Sequence, residues 1–180
     1  MEGIILLYHK IIYFLLSLLS LIVFSKVSIR IKSLPTPITL QTYVIGLIVL
    51  LAPSEMILLS IFSYVIIGIL GLPTFSDNSK GVKVLLGPTG GYIIGFLVVA
   101  VCFYFLKKTS NFSTESIWII FSWMIIVHLI IITCGFCRLT FLIGYKKAFY
   151  NGVLALIPPA IIKSLMIAVT FFILKHTLIL

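Results

Sequence analysis

The sequence predicts an all-α integral membrane protein, a single bundle of six transmembrane helices over residues 1–180. Three observations predict it. Of the 180 residues, 62% are hydrophobic and 9% are charged, with a mean hydropathy of +1.31. A water-soluble domain cannot hide that much apolar surface. Apolar stretches of about 20 residues recur from end to end, each long enough as a helix to cross roughly 30 Å of hydrocarbon. Short loops that hold most of the charge and the prolines separate them.

Helix one is predicted from about Ile4 to Ser25, with Lys10 near its start. It has no basic leader and no small-x-small cleavage site, so it reads as a retained helix and not a cleaved signal. A basic loop with Lys26, Arg30 and Lys32 follows. Pro35-Thr36-Pro37 breaks and restarts the chain; Thr36 can cap and Pro37 can occupy the first turn of helix two, which runs to about Ala52. Pro53-Ser54-Glu55 turns into helix three, which ends near Gly71-Leu72-Pro73. The polar loop from Thr74 to Lys83 holds Asp77, Asn78, Lys80 and Lys83. Helix four covers about Gly87 to Leu106 and stops at Lys107-Lys108; helix five covers about Ser116 to Cys134. An interrupted segment with Arg138, Gly144, Lys146 and Lys147 leads to helix six, kinked or broken at Pro158-Pro159 and ending near Lys175.

The 13 basic and 4 acidic residues give a net charge of +9. The basic residues are scattered through short loops and form no patch, which argues against nucleic acid as a partner; the lipid bilayer is the expected surrounding. No two of the four acids are close in sequence, and His9, His128 and His176 lack metal-ligand spacing. No Walker loop is present, so ATP-driven work requires partner subunits. No cofactor is expected, and the chain does not read as an enzyme. The reading from another class is a membrane thiol-disulfide oxidoreductase using Cys134 and Cys137, which have C-x-x-C spacing. A relay enzyme of that kind needs a second cysteine pair, and only Cys102 remains.

Three features point to a ligand. Leu86-Gly87-Pro88-Thr89-Gly90-Gly91-Tyr92 packs a proline and three glycines into the start of a membrane helix, where bare backbone favours close approach. Lys163 lies inside the apolar stretch from Ala148 to Leu174. A lysine at mid-helix costs ~2.5–3.5 kcal/mol on insertion scales, so it faces a cavity with a partner unless it snorkels to the interface. Gln41 and Thr42 sit in the first turn of helix two, where interhelical hydrogen bonding is the plainer alternative.

Pro35-Thr36-Pro37-Ile38-Thr39-Leu40-Gln41-Thr42 resembles the P-x-P-I-T-L-Q-T start of helix two in the BioY family. These are the biotin-specific S components of energy-coupling factor (ECF) transporters. Gly71-Leu72-Pro73-Thr74-Phe75-Ser76 is similar to that family's G-L-P-x-F-S after helix three. Leu86 to Phe96 matches L-G-P-T-G-G-Y-x-x-G-F throughout. The likeness is strong from about Pro35 to Phe96 and looser from Tyr145 to Met166. It implies six helices, both termini cytoplasmic in a bacterial plasma membrane, and capture of biotin from outside. It also implies docking on a transmembrane coupling subunit with two ATPase subunits. Carried over residue by residue, the substrate-binding set is Gln41, Thr42, Asn78, Gly90, Gly91, Tyr92 and Lys163. A second reading within the class is an S component or solitary carrier for another small carboxylated vitamin such as lipoate.

Two departures accompany the resemblance. The family pattern P-G-D-x-x-K reads here Pro158-Pro159-Ala160-Ile161-Ile162-Lys163, so Ala160 stands where an aspartate would share a helix face with Lys163. The ligand carboxylate, a ureido oxygen or Asp77 is then expected to partner the ammonium. The A-x-x-x-A contact motif of helix one is not evident, Ser17 and Ser20 being the nearest small residues. The positive-inside rule, taken alone, puts the termini outside; the resemblance puts them inside, and we follow it because external lysines would attract a carboxylate.

Overall fold

The computed structural model describes residues 2–109 and 112–177. Eight α-helices are present among them: α1 (Glu2–Ser25), α2 (Gln41–Leu51), α3 (Ser54–Ile69), α4 (Val82–Leu86), α5 (Gly90–Lys108), α6 (Ile117–Ile143), α7 (Tyr145–Gly152) and α8 (Ile157–Thr177). Four apolar stretches are long enough to cross a membrane: Leu7–Ser25, Gly90–Lys108, Ile117–Ile143 and Tyr145–Thr177, the last taking in α7 and α8. α2 and α3, with 11 and 16 residues, are apolar but shorter. The protein is therefore a multi-pass helical membrane protein, with two short helices, α4 and α7, that the six-helix expectation does not contain.

The core runs through the middle of the bundle, where α5 packs against α6 and α3, and α8 against α6 and α2. α1 lies on α2 and α3 and leaves Leu7, Ile11, Leu15 and Leu19 exposed, as a lipid-facing helix does. Ser17 and Ser20 line the seam between α1 and α2.

The remaining differences from the sequence reading lie at helix ends. Helix two does not begin at Pro37. Ile38–Thr39 (β2) pairs antiparallel with Ser28–Ile29 (β1), and the Leu40 amide donates to the Val27 carbonyl at 3.1 Å. The two prolines hold the chain extended and delay the helix to Gln41. Pro158 and Pro159 do not kink a helix; they begin one. The interruption comes earlier, at Val153 and a 3-10 turn over Leu154–Leu156. The prolines then fall in the first turn of α8, where a missing N–H costs nothing. α6 does not stop at Cys134-Gly135 but runs on to Gly144, whose φ of +81° ends it. Gly135 is a contact point, since an added Cβ would run into the Tyr92 ring.

Candidate functional site

The helices line a mainly apolar cavity, part of it open to solvent. Its walls follow helical periodicity. α5 and its N-cap contribute Tyr92, Ile93, Phe96 and Thr89; α6 contributes His128, Ile131 and Ile132; α8 contributes Pro159, Ala160 and Lys163. Thr39 at the end of the hairpin, with Gln41 and Thr42 just after it, forms one end, and Phe75 and Ser76 of the α3–α4 loop close over it.

Among the described residues, the cavity lining holds one ammonium and no carboxylate. Lys163 donates to the Thr39 carbonyl at 2.9 Å and to Thr42 Oγ1 at 2.8 Å. An ammonium has three hydrogens, so one donor is left for an incoming acceptor. Asp77 does not neutralise it. That carboxylate takes hydrogen bonds from Arg30 and, at 3.0 Å, from Ser28 Oγ, outside the cavity lining. A desolvated cation facing apolar walls favours an anionic or strongly hydrogen-bonding group, and the walls favour hydrocarbon beside it.

The other sequence-predicted residues separate into two groups. Gln41 and Tyr92 line the cavity with their polar atoms already committed. Thr39 Oγ1 donates to Gln41 Oε1 at 3.0 Å; Gln41 Nε2 donates to Tyr64, whose hydroxyl donates to the Thr74 carbonyl at 2.9 Å. This chain ties the hairpin, α2, α3 and the α3–α4 loop together. The Tyr92 hydroxyl donates to the Gly152 carbonyl at 3.0 Å, leaving its ring face to the cavity. Gly90, Gly91 and Asn78 are not brought to the lining. A Cβ on Gly90 would meet the Leu85 carbonyl, and one on Gly91 would meet Arg138 Cβ and the Cys134 carbonyl at 2.5 Å. Their bareness serves the approach of α4 and α6. Asn78 is exposed in a 3-10 turn, one residue beyond Asp77.

His128 is the residue that sequence reasoning missed. It is 4% exposed and lines the cavity from α6. Its signal is the one that marked Lys163, a polar ring in the middle of a long apolar run.

A family model described as the BioY family matches residues 3–178. The chain belongs to the BioY family. It is 32% identical over 152 residues to a protein of Rickettsia prowazekii (strain Madrid E) named a probable biotin transporter BioY, covering 84% of this chain and 76% of that one. A protein of the same name from Pyrococcus horikoshii is 35% identical over 130 residues, 72% of this chain and 75% of its own length. Among solved structures, the crystal structure of the S-component for biotin from an ECF-type ABC transporter superposes with a TM-score of 0.78 at 27% identity. That match covers 94% of this chain and 92% of the other. BioY membership makes this chain a transport protein and not an enzyme. Cys102, Cys134 and Cys137 are all free thiols.

Proposed function

We propose that the protein captures biotin at the outer face of a bacterial plasma membrane and takes part in its uptake. Its partners in that reading are an ECF transmembrane coupling subunit and two ATPase subunits. One observation carries the proposal: the ammonium of Lys163 stands at one end of an apolar cavity without a carboxylate, in a chain of the BioY family. Biotin offers a carboxylate, a hydrocarbon chain and a compact ring system. The carboxylate meets the third N–H of Lys163 beside Thr42, and the rest lies along Tyr92, Ile93 and Phe96. Gln41 holds the wall; Gly90 and Gly91 let α5 close on its neighbours; Asn78 belongs to the outer rim. Six crossings follow, made by α1, α2, α3, α5, α6 and the α7–α8 stretch, with both termini cytoplasmic.

Calorimetry on the purified chain tests this. Biotin binds, and Lys163→Ala weakens it by about tenfold or more, the scale of a charge-assisted hydrogen bond. Unchanged affinity would remove Lys163 from the site. Lipoate competing as well as biotin would move the proposal to another carboxylated vitamin. Proteins that co-purify with the chain test the partners.

A further inference from the structure

We propose that His128 is a positioning residue for Lys163: acting through Thr42, it fixes the ammonium so that its free N–H points into the cavity. This rests on reading the cavity as the site of a carboxylated ligand. His128 Nδ1 lies 2.9 Å from the Met124 carbonyl and 3.0 Å from Ser164 Oγ. A carbonyl can only accept, so we assign the imidazole hydrogen to Nδ1; Ser164 Oγ then accepts from the same N–H, the ring stays neutral near the Lys163 ammonium, and Nε2 carries a lone pair. That lone pair faces Thr42 Oγ1 at 3.3 Å. Thr42 has a single hydroxyl hydrogen. Giving it to Nε2 turns the oxygen lone pairs toward Lys163 Nζ at 2.8 Å. The bonds therefore run in one direction, from Lys163 to Thr42 to His128 to Met124, and the Thr39 carbonyl holds a second N–H of the lysine.

The chain of bonds joins the end of the hairpin with α2, α6 and α8, and its His128 end is closed from water. Ser164 is fully buried and His128 nearly so. With no acid in the cavity lining, this hydroxyl and one carbonyl are what hold the ammonium before ligand arrives. Without the Nε2 acceptor the Thr42 hydroxyl is free to rotate, and the lysine loses its fixed direction. A donor oriented in advance spares the ligand the entropy of ordering it, and only a ligand that uses that donor benefits. His128 thus sets preference for a charged acceptor, while the apolar walls bind the rest of the molecule.

Biotin and its neutral methyl ester, titrated into the purified full-length chain, separate the two effects. The wild type prefers biotin. His128→Phe, which keeps the ring volume, lowers biotin affinity by about five- to tenfold and leaves the ester within about twofold. His128→Gln reaches Thr42 with an amide oxygen and keeps most of the preference; His128→Asn is too short to reach it and loses the preference. The Gln and Asn pair decides the matter if the Phe variant does not yield folded protein. Equal losses for both ligands, or Gln and Asn behaving alike, would overturn the assignment. A wild type that does not bind biotin overturns both this inference and the reading beneath it; a wild type that binds, with equal losses in the variants, overturns this inference alone.

Discussion

Two of the three hydrogens on the Lys163 ammonium are taken by Thr39 and Thr42, and that geometry is narrower than a charge requirement. A guanidinium presents its donors in a planar fork and does not fit a carbonyl and a hydroxyl arranged around a point charge. Lys163→Arg is therefore expected to lose about tenfold or more in biotin affinity by calorimetry although the charge is kept. Retained affinity would mean that charge alone recruits the ligand. Lysine 163 was legible in the sequence because a cation inside an apolar stretch has few explanations. His128 carries the same mark, but its spacing from His9 and His176 suggests no shared ligand. Its side-chain partners are 36 residues onward and 86 residues back, a distance that spacing rules do not reach. Asn78 is the opposite case. The motif placed the loop, but Asp77 and Asn78 both adopt positive φ, at 55° and 58°, and that local twist decides which side chain turns where.

Helix α5 approaches its neighbours at glycines, and this fixes where the cavity walls stand. The run from Gly87 to Phe96 was legible as special, though for a different reason than its bareness suggested: its glycines meet other helices and its larger residues meet the cavity. Gly91→Ala would press a methyl group against the backbone of α6, whereas an added Cβ on Gly87 has its nearest neighbour, Lys83 O, at 3.4 Å. We expect Gly91→Ala to lower thermal stability in detergent by about 1–3 kcal/mol, and Gly87→Ala to leave it nearly unchanged. Two loops close the same cavity. Lys26 donates to the carbonyls of Pro73 and Phe75, and Arg30 pairs with Asp77, joining the hairpin to the α3–α4 loop. The Arg30 hydrogen bonds hold the Asp77 carboxyl below the usual carboxylate range. A lowered folded value means that the contribution of the pair is complete above the ordinary aspartate range and is lost as pH falls through the lowered value. Exposed pairs are worth roughly 0–1 kcal/mol. Asp77→Asn should therefore speed ligand release by no more than about fivefold at neutral pH, and the difference from wild type should vanish in acid. A difference that persists in acid would mean the aspartate acts through something other than its charge. The hairpin itself was not legible, since two-residue strands leave no periodic pattern between prolines.

The whole molecule has two ends of different character, and this gives its orientation a physical test. At the end away from the cavity mouth, Lys107, Lys108 and Lys175 are engaged. Lys107 donates to the carbonyls of Leu50 and Ala52 at the close of α2, Lys175 donates to that of Thr114, and Lys108 pairs with Glu55. At the cavity end stand Lys32, Lys80, Lys83, Lys146 and Lys147 beside the Arg30–Asp77 pair. The charge rule for membrane insertion turns the more basic end inward. Capture of a carboxylate from outside turns it outward, because a ring of cations raises the local concentration of anions at the mouth. The two demands oppose each other, and our proposal requires the second to prevail. Single cysteines at positions 30 and 108, introduced where Cys102, Cys134 and Cys137 have been replaced by serine, report the outcome. Lys108 serves better than Lys107, whose ammonium is bound to two carbonyls, because its side chain is half exposed. A membrane-impermeant thiol reagent added to intact cells should label position 30 and spare position 108. The reverse pattern would place the cavity mouth in the cytoplasm and end the uptake proposal. The same cysteine-free chain should bind biotin as the wild type does, since the walls of the site contain no thiol.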